Sequence, residues 1–161
     1  MSDLLRVDLL NEADKKRLGN LIIEQIRDRT RKGTGVNPNG REYKLQNKPY
    51  TRKYAKLKGS NKVDLTLTGD MLENMFVSDT GVKTVSISVR DEDYGKLRGA
   101  EEGVIRNIRG PRGKPIPGTK TTIKRPFYRL SKNDTDEIVS SDDFRRIFKR
   151  ATNRFFNKRS R

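Results

Sequence analysis

The period of the apolar positions changes several times along the chain, and each change marks a boundary. From about Asn11 to Lys32, Leu18, Leu21, Ile22 and Ile26 form an apolar stripe that predicts a long first helix. Asn11 or Asp8 is available as its cap and Gly33 as its terminator. Arg27, Arg29, Arg31 and Lys32 crowd its last turns, where the macrodipole favours cations, and a solvated helix end accounts for them. Further on, Val63, Leu65 and Leu67 alternate as on a half-buried strand. Met71, Leu72 and Met75 then recur at helical spacing, with Thr68 placed to cap the turn and Asp70 to complement its positive end. The expectation is a short strand passing directly into a short helix.

After this corner, Met75 to Ser78, the turn Asp79-Thr80-Gly81 and Val82 to Arg90 predict a hairpin, since Val85, Ile87 and Val89 alternate with Thr84, Ser86 and Ser88. Ile123 to Leu130 resumes structure. Ser131 with Asp134 has the spacing of a capped helix start, and Ser140 or Ser141 caps a last helix. In that helix Phe144, Ile147, Phe148, Ala151 and Phe155 share one face, the clearest amphipathic pattern in the chain. We read this stripe as core or subunit interface.

Between these elements the apolar signal fades. Residues 33–62 are rich in Gly, Asn, Pro and Lys, with a turn signal at Asn37-Pro38-Asn39-Gly40. Tyr50 and Tyr54, four apart, can pin a short helix to the core with its lysines in water; the same mixture can stack on single-stranded nucleic acid. We favour packing. Residues 95–124 concentrate glycine, proline and the basic residues Arg98, Arg106, Arg109, Arg112 and Lys114, and predict a long basic loop or β-ribbon that contacts a partner or DNA. Residues 156–161 read as a basic tail.

Composition narrows the chemistry. In 161 residues, 37 Lys plus Arg against 21 Asp plus Glu give +16, and 31% hydrophobic content suits one core, hence a single α+β domain over 1–161. Such charge attracts nucleic acid or an acidic assembly. Without Cys or His, thiolate nucleophiles, imidazole chemistry and the usual zinc sites are excluded, and no cofactor is expected. The run Gly110-Pro111-Arg112-Gly113-Lys114-Pro115 lacks the first glycine and the hydroxyl residue of a phosphate loop. Asp91, Glu92 and Asp93 lack EF-hand spacing and read as a solvated turn, with no metal site. No run approaches the roughly 20 apolar residues of a membrane span. No secretory leader is evident at Met1-Ser2-Asp3-Leu4-Leu5-Arg6, so a soluble protein made in a cytoplasm is expected.

Taken in order, several blocks resemble the phage virion morphogenesis proteins, the tail-completion and head-to-tail joining family of tailed bacteriophages. Arg29-Thr30-Arg31-Lys32-Gly33 through Asn37-Pro38-Asn39-Gly40-Arg41-Glu42-Tyr43 resembles that family's basic helix end and D-P-x-G-x-x-W turn, with Asn37 for the acid and Tyr43 for the tryptophan. Leu67-Thr68-Gly69-Asp70-Met71-Leu72 is similar to its L-x-x-T-G-x-L segment, with Thr68, Gly69 and Leu72 as the matching structural positions. Tyr94-Gly95-Lys96 through Glu102-Gly103 stands where many members have Y-A-x-x-H-x-x-G, without the histidine. The block Arg125-Pro126-Phe127-Tyr128-Arg129-Leu130-Ser131 resembles R-P-F-L-G-L-S, and Arg125, Pro126, Phe127, Leu130 and Ser131 carry that likeness.

The resemblance, over roughly residues 20–155, implies an α+β subunit with a long N-terminal helix, a small antiparallel or mixed sheet and a C-terminal amphipathic helix. It implies a homo-oligomeric ring in the neck or upper tail of a virion. That ring would touch neighbouring neck, connector or tail-tube proteins and the genomic DNA in the channel, with no catalysis. Assembly would follow synthesis in the host bacterial cytoplasm. A basic nucleic-acid-binding protein of ribosomal or DNA-packaging type is the alternative, and a nuclease using Asp91, Glu92 and Asp93 a third reading.

Overall fold

The computed structural model describes residues 9–47, 49–63, 65, 70–109 and 115–159. Helix α1, Glu12–Arg31, begins where Asn11 Oδ1 accepts the Asp14 N–H at 2.8 Å, with Glu12 and Asp14 in its first turn and Arg29 and Arg31 in its last. Gly33 then turns the chain at φ +84, a conformation that side chains with a Cβ resist. A short hairpin follows, β1 (Thr34–Val36) against β2 (Glu42–Lys44), closed by the Asn37–Gly40 turn. Next come one 3₁₀ turn over Leu45–Asn47 and the short helix α2, Arg52–Lys58.

Beyond α2 lie α3 (Asp70–Glu73), β3 (Met75–Asp79), β4 (Ser86–Val89) and α4 (Asp91–Glu102). Then follow β5 (Val104–Arg109), β6 (Pro115–Ile123), α5 (Lys132–Ser140) and α6 (Asp142–Arg159). The fold is α+β with a long first helix, as the periodicity predicts. Its strands, however, form separate antiparallel pairs, β1–β2, β3–β4 and β5–β6, rather than one small sheet. No helix among the described residues is long and apolar enough to cross a membrane.

Helix α1 is the common wall of two apolar clusters. On one side Ile23 and Ile26 pack with Met71, Leu72, Met75, Val89 and Phe127. On the other, Leu18 packs with Leu10, Ile138, Phe144, Ile147 and Ala151, so the α6 stripe is core over its first turns. Ile22 and Leu130 touch both clusters. Gly19 lets the β3–β4 hairpin approach closely, because a Cβ there would collide with the methyls of Val77 and Val85.

Several expectations are corrected. No strand forms at Val63 or Leu65, and Leu65 has φ +57. The Val63 N–H donates to Gln46 Oε1 (3.1 Å) and the Leu65 N–H to the Tyr50 hydroxyl (3.2 Å), so side chains take up the groups a β-ladder would use. The expected turn at residues 91–93 is instead the first turn of α4, where three acidic side chains meet the positive end of the helix. Residues 95–102, read as loop or ribbon, continue that helix, which Gly103 ends at φ +97. The ribbon β5–β6 starts only after it. Strand β4 begins at Ser86 rather than Val82, and α6 runs to Arg159, into the stretch read as a tail. Thr68, Gly69, Arg112 and Lys114 lie outside the described residues.

Candidate functional site

The segment Arg125–Ser131 is held by contacts from α1, β1, β2, β4, α4 and the stretch before α2. Arg125 is buried: its guanidinium donates to the Pro49 carbonyl at 3.0 Å and lies 5.0 Å from the Tyr50 ring centroid. The Pro126 carbonyl accepts from the Val36 N–H (3.1 Å) and the Tyr43 hydroxyl (3.1 Å), which ties the segment to β1 and β2. From α4, Glu101 Oε1 accepts the N–H groups of Phe127 (2.8 Å) and Tyr128 (3.0 Å). The Tyr128 hydroxyl donates to the Ile87 carbonyl of β4. Phe127 is fully buried.

Arg29 closes the arrangement from α1. Its guanidinium pairs with Asp134 and donates to the carbonyls of Phe127 and Arg129, the latter at 2.9 Å. Ser131 and Asp134 form the anticipated capping box of α5: Ser131 Oγ accepts the Asp134 N–H at 3.0 Å and Asp134 Oδ2 accepts the Ser131 N–H at 2.7 Å. Two other arginines at the end of α1 also have partners. Arg27 donates to the carbonyls of Leu72 (2.7 Å) and Glu73 (2.7 Å) at the end of α3, and Arg31 pairs with Glu73. The reading of a solvated helix end is therefore overturned for the buried Arg29 and the half-buried Arg27, and holds for Arg31 and Lys32, which are exposed.

Two phenols report on this region. Burial, with the Glu101 carboxylate adding to it, pushes both the Tyr43 and the Tyr128 hydroxyls up to about 12; Arg125 opposes the shift at Tyr43. An unfolded tyrosine ionises near about 10. The folded chain holds these two protons more tightly, so their contribution to stability is intact below about pH 10 and is lost as the pH rises toward about 12. Followed by phenolate absorbance, two of the five tyrosines should ionise late, and Y43F and Y128F should each remove one late step. Five coincident ionisations in a folded chain would contradict these contacts.

The structure brings together only part of the predicted site. Leu72, Arg125, Pro126, Phe127, Leu130 and Ser131 form or border the core. Arg98 is elsewhere, exposed on α4 and paired with Glu102 at 2.7 Å. Arg106 and Arg109 lie on β5, in register with Thr121 and Pro115 of β6. The ribbon's two strands contact chiefly each other, and its base is fixed where the Arg125 N–H donates to the Ala100 carbonyl at 2.8 Å.

Sequence reasoning places Asp93 in a solvated turn and misses its burial. It is buried in the first turn of α4, and hydrogen bonds from Lys96 and from Asn74 (2.7 Å) hold its carboxyl below the usual range. It is thereby a structural group, and among the described residues no cluster of three or more carboxylates is placed to hold a metal ion. The i,i+3 spacing of Asp93 and Lys96 was the available signal. Tyr50 and Tyr54 pack against each other, with centroids 4.6 Å apart. No protein-family model, curated protein or solved structure matches this chain.

Proposed function

We propose that this protein is a non-enzymatic structural component of a tailed-bacteriophage virion, a ring subunit of the neck or upper tail that completes the tail or joins head to tail. The observation that carries the reading is the segment Arg125–Ser131. It is similar to the resembled family's R-P-F-L-G-L-S block, with Tyr128 and Arg129 in place of L and G, and Pro126, Phe127, Tyr128 and the capping Ser131 tie it to α1, β1, β2, β4, α4 and α5. The basic ribbon β5–β6 adds support, since a two-stranded arm that packs chiefly on itself suits contact with a neighbouring subunit, an adjoining ring or DNA.

The reading is tested by electron microscopy of lysates from a host infected with phage carrying a nonsense codon in this gene. DNA-filled heads separated from tails are the expected result; intact, infectious particles would remove the structural role. Excision of residues 104–120 should give a chain that unfolds at the wild-type temperature yet fails to enter particles. Normal incorporation of that chain would show that the arm makes no assembly contact. The net charge of +16 favours a second reading, a basic nucleic-acid-binding protein. That reading requires tight DNA binding by the monomer, with log affinity falling linearly in log salt.

A further inference from the structure

Although Lys149 and Arg150 of α6 enter no ion pair among the described residues, helices α1, α4 and α6 set other cations against carboxylates of their own: Lys16 with Glu12 (2.9 Å), Arg98 with Glu102 (2.7 Å), and Arg145 with Asp142 (4.0 Å). Helix α2 does not. From Tyr43 to Val63 the chain has no Asp or Glu, and among the described residues Arg52, Lys53 and Lys56 enter no ion pair. Lys56 follows Lys53 by three positions and Arg52 by four, spacings at which like charges repel along a helix. The helix forms nonetheless, because Thr51 caps it, Ala55 is buried and Gly59 ends it at φ +71. Beside these cations Leu57 is 76% exposed, and Thr51, Lys53, Tyr54, Lys56 and Leu57 border an open hollow of about 660 Å³.

We propose that this face of α2 is a docking surface for an acidic protein segment bearing a large apolar side chain. The apolar group enters the hollow beside Leu57, and the carboxylates meet Arg52, Lys53 and Lys56. Charge complementarity selects the anion: repulsion built into α2 is relieved by a partner of opposite sign, and from Tyr43 to Val63 the chain supplies none. The apolar component selects protein over nucleic acid. Leu57 offers nothing to a phosphate, and the Tyr50 ring is covered by Tyr54, Lys58 and Arg125, so it presents no open stacking platform. The inference rests on the assembly reading only for where such a segment would come from, a neighbouring virion protein.

The test uses the full chain and three fluorescent probes: a short synthetic peptide of Glu and Asp with two leucines, the same peptide with serine for leucine, and a short oligothymidylate. At physiological salt the leucine peptide should bind. Its affinity should fall roughly tenfold in K53E/K56E and also in L57S, while the serine peptide should not distinguish L57S from wild type. K53E/K56E exchanges one like-charge pair for another while placing an acid four positions after Arg52, and these positions, like that of L57S, are exposed, so the fold is retained. The proposal is overturned if the leucine peptide does not bind or if its binding ignores both variants. It is equally overturned if only the oligothymidylate depends on Lys53 and Lys56, which would make α2 a nucleic-acid surface. None of these readouts involves a virion, so their failure and that of the assembly reading are separable.

Discussion

Replacing Arg29 with alanine should lower the free energy of unfolding by about 3–5 kcal/mol, the range for removing one partner of a buried ion pair. The guanidinium is 6% exposed and Asp134 is 2% exposed, so solvent screens neither charge. Losing the cation strips donors from two main-chain carbonyls and leaves Asp134 with only the Ser131 N–H and Gln25 Nε2 (3.2 Å). Such a loss is a large share of the roughly 5–15 kcal/mol that holds a domain folded. Urea unfolding of R29A measures it directly. A loss under about 1 kcal/mol would place this pair among solvent-screened surface bridges and contradict the burial described here.

Phe127→Ala should cost a similar amount, about 3–5 kcal/mol. The ring is fully buried among Ile23, Ile26, Met71, Leu72, Met75 and Val89, so its removal leaves a void as well as losing apolar transfer energy. The void cannot readily close. The Phe127 N–H is held by Glu101 and its carbonyl by Arg29, which pins the backbone on both sides of the missing side chain. Calorimetry should show a large drop in Tm for F127A and a smaller one for Phe127→Leu, which refills most of the space. Equal losses for the two variants would mean that the site collapses freely. Because Arg29 and Phe127 share a contact, R29A and F127A together should not be additive.

The elements legible in the sequence are those whose signal is local. The α1 stripe, the α6 aromatic face and the Ser131–Asp134 capping box each depend on spacings within a few turns, and each forms where its spacing places it. Ile23 was not in the stripe read from the sequence because a single-faced helix was assumed, whereas α1 is covered on two sides. The alternation misleads at Val63 and Leu65, the described part of Val63–Leu67, for the opposite reason. Its strand period needs a ladder partner, and side chains from Gln46 and Tyr50, distant in sequence, satisfy the backbone instead. In α4, Gly95 and Gly99 suggest a loop, yet the acidic first turn and the Asp93 contacts to Asn74 and Lys96 outweigh their cost. Of the basic positions read as a contact surface, Arg98 is paired within its own helix. The cations of α2 stand out by the absence of any Asp or Glu from Tyr43 to Val63, which the sequence already shows.

The long reach of the α1 contacts governs how the chain folds as it leaves the ribosome. Arg29 and Asp134 are 105 positions apart, and Asp14 and Arg154 are 140 apart. At a synthesis rate of about 5–20 residues per second, Leu18 therefore waits several seconds for Ile138, Phe144, Ile147 and Ala151, whereas Ile23 and Ile26 meet Met71, Leu72 and Met75 sooner. Contacts of this separation also make folding slow relative to a helical bundle. A chain stopped by a nonsense codon ahead of Phe144 has α1 but not the aromatic face that covers it. Such a chain should be cleared by proteases, and a late nonsense allele should then behave as a complete loss.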